Sequence, residues 1–253
     1  MIFTLGNQKG GVGKTTTVFA MSSGLSNRGN RVLAIDLDPQ CNLTLSSGIE
    51  LMDLDKTLYD VFRKKDKTRK YIVSSDIGFD LLPGGLSLAG ADMDFTQTGR
   101  EYMLQEAISD IQSDYDYIII DTPPTLGILT VNALTASDYL IIPMMTDVYS
   151  IQGLSQLSGM VDNVRKYCNS DLRVAGFLIT KFHERQLLSK ALLQQIDDIA
   201  GQMGTKVFET RIRESVAVRE AALLQSDIFR EAPKANATVD YNQFIDEIIR
   251  ECK

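Results

Sequence analysis

Three consecutive isoleucines, Ile118-Ile119-Ile120, run directly into Asp121. A strand that is apolar on both faces must be covered on both faces, which is the situation of a parallel sheet sandwiched between helices. Comparable short runs occur at Ile2–Gly6, Arg31–Asp36, Phe79–Leu82, Tyr117–Asp121, Tyr139–Pro143, Arg173–Thr180 and Lys206–Phe208. Helical patterns fall between and after them, near 14–29, 56–64, 100–113, 126–136, 150–168, 187–203, 214–225 and 238–251. This alternation predicts an α/β fold, a doubly wound and mostly parallel sheet with helices on both faces. No repeat, low-complexity tract or Pro/Gly-rich linker interrupts it, so residues 1–253 are expected to form a single domain.

Ligands of such sheets bind beyond the carboxyl ends of the strands. After the first strand comes Lys9-Gly10-Gly11-Val12-Gly13-Lys14-Thr15-Thr16-Thr17, leading into a helix. The glycines let backbone amides approach an anion, and the helix N-terminus adds favourable polarity. Lys14 is placed to reach β- and γ-phosphates, and the Thr15 hydroxyl to ligate Mg²⁺. The pattern G-x-x-x-x-G-K-[ST] is not met in full, because Gln8 occupies its first glycine position; an additional lysine, Lys9, stands beside it.

Two further strand ends are acidic. In Asp36-Leu37-Asp38-Pro39-Gln40, alternation puts Asp36 and Asp38 on one side of the chain. They can serve water and metal, or simply begin a turn. Asp121, followed by Thr122-Pro123-Pro124, follows the logic of a carboxylate that holds Mg²⁺ through water.

The segment from Asn7 to Thr16 resembles the deviant Walker A motif of the ParA/MinD superfamily of ATPases. Asp36–Gln40 is similar to that family's D-x-D-P-Q, and Asp121–Pro124 to its D-x-P-P. The chain looks most like the short ParA/Soj-type partition ATPases that lack an N-terminal helix-turn-helix, since its phosphate loop begins at residue 9. The resemblance implies ATP and Mg²⁺ as cofactors, bound through Gly10, Gly11, Val12, Gly13, Lys14, Thr15 and Thr16, with Thr15, Asp36 and Asp121 around the metal. It implies catalysis by Lys14, by Asp38 orienting the attacking water, and by Lys9 reaching the phosphates of a second subunit. An ATP-dependent homodimer, non-specific DNA and a ParB-type centromere-binding protein that stimulates hydrolysis are the implied partners. The implied location is the cytoplasm, on the nucleoid when ATP is bound. One departure stands out: where members often have glycine after the Gln, this chain has Cys41.

With a net charge of −7, DNA binding would have to come from a local patch. Residues 165–234 hold 12 Lys/Arg against 9 Asp/Glu, and they include Lys181, Arg185, Lys190, Arg211, Arg213, Arg219, Arg230 and Lys234. Arg185 matches a DNA-contacting arginine of chromosomal relatives. The second such position falls at Ala217, so Arg211, Arg213 or Arg219 is expected to substitute. Each is otherwise a solvated surface residue. The densest basic run, Arg63–Lys70, could touch phosphates as a patch of point charges, but reads more readily as a solvated loop after a short helix.

Other classes are disfavoured. Cys41, Cys168 and Cys252 show no metal or disulfide spacing, which also argues against a nitrogenase-iron-protein-like reductase. No apolar run reaches the roughly 18 residues of a membrane span, and the N-terminus lacks a signal pattern. A MinD-like membrane regulator would want a basic C-terminal helix; Val239–Lys253 has an acidic polar face and is expected to dock on the domain. A P-loop metabolic ligase shares the fold but has no task for Lys9. A nucleotide switch without hydrolysis is disfavoured by Asp38.

Overall fold

The computed structural model describes residues 1–53, 56–64, 67–147, 153–183 and 188–252, with the backbone alone at 53 and 188–191. Its eight strands are β1 (Ile2–Leu5), β2 (Val32–Asp36), β3 (Val73–Ser74), β4 (Asp80–Leu82), β5 (Tyr117–Asp121), β6 (Tyr139–Met144), β7 (Arg173–Phe182) and β8 (Val207–Arg213). They form one sheet in the order β3-β4-β2-β5-β1-β6-β7-β8. Every pairing is parallel except the edge pair β3–β4. The sheet is therefore the doubly wound, mostly parallel α/β sheet that the apolar runs require.

The helices are α1 (Lys14–Ser26), α2 (Asn42–Ser46), α3 (Leu58–Lys64), α4 (Ala91–Asp94), α5 (Met103–Ile108), α6 (Ile128–Ala136), α7 (Leu154–Tyr167), α8 (Leu188–Gln202), α9 (Val216–Leu223), α10 (Ile228–Glu231) and α11 (Asn236–Glu251). Alternation along β5 shows why its run is continuous. Ile119 joins Phe3, Ala34 and Ile141 under α1 and α11, on one face. Ile118 and Ile120 join Leu33 and Ile35 under α3, α5 and α6, on the other. The second face continues under α7 and α8 around Leu140, Ile142, Phe177 and Ile179.

The last strand is longer than its apolar content suggests. In β8 only Phe208 and Ile212 are buried, because it is an edge strand with one covered face. Arg211 and Arg213 thus lie on a strand. The C-terminal helix docks as expected: Ala237, Tyr241, Phe244, Ile245 and Ile248 are buried against α1 and β8. Two of its acidic residues, Asp240 and Glu247, also face inward, while Asp246 and Glu251 are exposed. Glu247 accepts the amides of Glu209 (2.8 Å) and Thr210 (3.0 Å), and Asp240 accepts that of Arg213 (2.9 Å), so the helix holds three amides of β8.

Candidate active site

The carboxyl ends of β1, β2, β5, β6 and β7 carry the residues that the sequence singles out. The phosphate loop leaves β1 at Asn7, whose side chain fixes its path. Asn7 Nδ2 donates to the Pro143 carbonyl (2.7 Å), and Oδ1 accepts the Lys9 amide (2.9 Å). Gly11 and Gly13 take left-handed backbone angles (φ +74° and +86°), which a side chain would strain. Gly13 then caps α1, which begins at Lys14. The Thr180 hydroxyl, at the end of β7, lies 2.7 Å from the Val12 carbonyl oxygen and pins the loop from the far side.

Gly10, Gly11, Gly13, Lys14, Thr15 and Thr16 line a cavity of about 410 Å³, which Asp38 and Gln40 also reach. Val12, by contrast, is fully buried and lies outside that lining. Lys14 is buried, and that burial lowers its pKa while the charges of Asp121 and Asp38 oppose the shift. A helix N-terminus that lines a cavity, with an adjoining buried ammonium, calls for an anion.

Asp36 and Asp121 are register partners on β2 and β5, both fully buried. Their oxygens are used differently. Asp36 Oδ1 accepts the Asp38 amide (3.1 Å), and Oδ2 accepts the Thr44 amide (2.9 Å) and hydroxyl (2.7 Å). Asp36 thereby shapes the β2–α2 turn, and burial pushes its carboxyl up to about 6. Gly84 is required beside it, since a Cβ there would stand 3.0 Å from the Asp36 carboxyl carbon and carbonyl oxygen. Both oxygens of Asp121 lack a hydrogen-bond partner among the described residues. Burial first, then the charge of Asp36, raises its carboxyl well above the usual range. The Thr15 hydroxyl and Lys14 pull it the other way, Thr15 without ordinary hydrogen-bond geometry.

An orphaned buried carboxylate beside a threonine hydroxyl fits a divalent cation. The described residues gather no group of three His, Cys, Asp or Glu that could hold a metal. That suits Mg²⁺, which takes one or two protein oxygens and completes its shell with water and phosphate. Asp38 is nearly buried, accepts the Gln40 amide (2.9 Å) and lines the cavity.

Lys9 is bound within its own chain. Its Nζ lies 2.6 Å from both carboxylate oxygens of Asp147, in the segment after β6. Thr44 and Asp147 escaped the sequence reading, because their partners are 8 and 138 residues away and no motif marks them. Cys41 has φ +55°, which explains why glycine suits that position; its thiol, pushed up to about 12 by burial, leans on the Pro39 carbonyl.

The arginines have separate fates. Arg213 is half-buried and forked onto Asp240, with Nε and Nη2 within 2.6–3.2 Å of its oxygens. Arg211 is exposed, 4.9 Å over the Phe182 ring, and Arg219 is exposed on α9. Arg185 lies outside the described residues, as does the side chain of Lys190. In the run 63–70, Lys64 pairs with Asp60 and Arg69 with Asp114.

A phosphate loop that opens onto a paired-strand carboxylate with unused oxygens defines a P-loop nucleotide-hydrolysing protein. The comparisons narrow the class. A family profile described as an AAA domain matches residues 1–174. The sporulation initiation inhibitor protein Soj of Bacillus subtilis is 37% identical over 98% of this chain and 97% of its own. The chromosome partitioning protein ParA of Caulobacter vibrioides is 36% identical over 87% of this chain and 83% of its own. Among solved structures, cobyrinic acid a,c-diamide synthase from Mycobacterium smegmatis, with bound ATP analogue and magnesium, superposes with a TM-score of 0.88 at 33% identity. It covers 100% of this chain and 95% of that one. A putative plasmid partition protein from Borrelia burgdorferi bound to AMPPNP gives 0.83 at 26%, over 100% and 99%. The chain belongs to the ParA/MinD superfamily of P-loop ATPases.

Proposed function

We propose that residues 1–253 act as one ParA-type partition ATPase domain, binding ATP with Mg²⁺ and hydrolysing it to ADP and phosphate. The carrying observation is a phosphate loop with two lysines in different states: Lys14 buried and lining the cavity, and Lys9 outside that lining and paired with Asp147. In this reading the loop amides and Lys14 bind the β- and γ-phosphates, and Thr15 and Asp121 hold the metal. Mg²⁺, when bound, supplies positive charge to the phosphate oxygens. Asp36 fixes the turn that carries Asp38, and Asp38 orients the attacking water. The base enters a cavity of about 170 Å³ beside Ile212, Val218 and Tyr241.

Lys9 leaves Asp147 to reach the phosphates of a second copy, acting like an arginine finger in trans. Both partners are about 29% exposed, so breaking their pair costs roughly 1 kcal/mol or less. A contact to phosphate, at roughly 1.5–3 kcal/mol, exceeds that cost. The dimer so formed binds non-specific DNA in the cytoplasm, and a ParB-type partner stimulates turnover and release.

The test is sizing by light scattering with ADP, ATP and ATP plus Asp38→Ala. The expected result is a monomer with ADP, a transient dimer with ATP and a persistent dimer in the variant, lost in Lys9→Ala. Pairing and turnover that survive Lys9→Ala overturn the reading. The full-length likeness to cobyrinic acid a,c-diamide synthase supports a second reading, a P-loop ligase acting on a carboxylate substrate. That reading predicts turnover by a monomer, indifferent to Lys9.

A further inference from the structure

The two cavities of the nucleotide site meet at three shared wall residues, Gly13, Thr16 and Lys181. With the base in the smaller cavity and the β- and γ-phosphates in the larger, the stretch at this junction is the ribose and α-phosphate. The α-phosphate is the only anion of that stretch.

We propose that Lys181 binds the α-phosphate of the nucleotide, gripping ATP and ADP alike. The assignment rests on the reading of the site as an ATP site. Lys181 has φ +48°, a left-handed conformation uncommon for a side-chain-bearing residue. Such residues persist where surrounding contacts over-determine them, and they cluster at ligand sites. Here the restraint is the preceding residue: the Thr180 hydroxyl is 2.7 Å from the Val12 carbonyl oxygen and 3.1 Å from that of Met144. The strained residue is therefore bolted to the phosphate loop itself.

Its side chain is left without a partner where those of Arg213 and Glu214, which line the same cavity, have one. Arg213 is forked onto Asp240, and Glu214 meets His183 Nε2 at 2.7 Å. The Lys181 side chain makes no hydrogen bond or ion pair among the described residues. An exposed lysine, held in a strained backbone at the seam of two cavities with no internal partner, is a cation awaiting an anionic ligand. This takes Lys181 out of the basic residues available to DNA.

The α-phosphate carries the same charge before, during and after γ-phosphoryl transfer. Removing a contact to it therefore weakens binding without slowing the chemical step. Calorimetric titration of ATP and of ADP with Mg²⁺ tests this on wild type, Lys181→Met and Lys181→Gly, with steady-state turnover alongside. Lys181→Met keeps the stem and removes the charge. Lys181→Gly also relieves the backbone, so its thermal stability without nucleotide is expected to match or exceed wild type. Both variants are expected to lose about tenfold in affinity for ATP and ADP equally, with KM raised and kcat unchanged. ATP and ADP affinities within twofold of wild type, or a fall in kcat at unchanged KM, overturn the proposal. If wild type binds neither nucleotide, it is the ATP reading of the site that falls, and this assignment with it.

Discussion

Asp36 and Asp121 illustrate how one residue type takes two roles at equal burial. Asp36 spends its oxygens on Thr44 and the Asp38 amide, and so behaves as a structural acceptor within the site. Asp121 spends its oxygens on nothing among the described residues. Both carboxyls are raised above their unfolded values, Asp36 to about 6. The folded state thus binds more protons than the unfolded state between about pH 4 and the raised values. Stability of the nucleotide-free protein is expected to fall as pH rises through that window. Urea midpoints measured from pH 5 to pH 8 check this. Asp121→Asn is expected to flatten the slope and to stabilise the protein at pH 8 by about 1–3 kcal/mol, while abolishing metal-dependent turnover. A variant with an unchanged slope would remove Asp121 as the source of the pH dependence.

At the scale of elements, β8 and α11 form a unit whose strength comes from carboxylates as well as packing. Glu247 sits with Asp240 on the inner, mostly apolar face of the helix and holds the Glu209 and Thr210 amides. Glu247→Ala leaves two donors of a sheet edge unsatisfied. It is expected to cost about 2–3 kcal/mol in denaturant unfolding, with kcat close to wild type. The sequence did not disclose this unit, because the two helix turns from Asp240 to Glu247 look like an ordinary solvated acidic face. What periodicity did disclose is the sheet interior: Ile118-Ile119-Ile120 can only be a strand covered twice, and the glycine-lysine motif marked the loop that lines the cavity at the carboxyl end of β1. Short elements went unseen. α2 exists because Asp36 caps Thr44, and β3 exists because Val73 and Ser74 pair with Leu81 and Asp80. The α2 cap and the β3 pairing are made by partners, and local propensity does not encode them. The same holds for Lys9, whose motif was plain while its Asp147 partner, 138 residues on, was not.

Over the whole molecule, charge decides what a DNA-binding surface can be. A chain of net charge −7 repels DNA except where cations are left unneutralised. The run 63–70 is a poor candidate, since Lys64 and Arg69 already have acidic partners. Arg213 is poorer still, because Asp240 holds it in a half-buried fork and its loss would strand a buried carboxylate. Arg211 and Arg219 are exposed and remain. Two such side chains give one copy little grip; an ATP-held pair doubles them on one particle, so binding should require ATP and be steep in salt. The double variant Arg211→Glu/Arg219→Glu, titrated onto random-sequence duplex with ATP, is expected to lose affinity at least about tenfold and to flatten the salt slope by about one per lost phosphate contact. Arg219 also lines the cavity proposed for the base, so ATP affinity must be measured in the same variant. Retained ATP binding with lost DNA binding assigns the surface to these arginines. Unchanged DNA affinity moves it elsewhere, with Arg185 the next position to reverse.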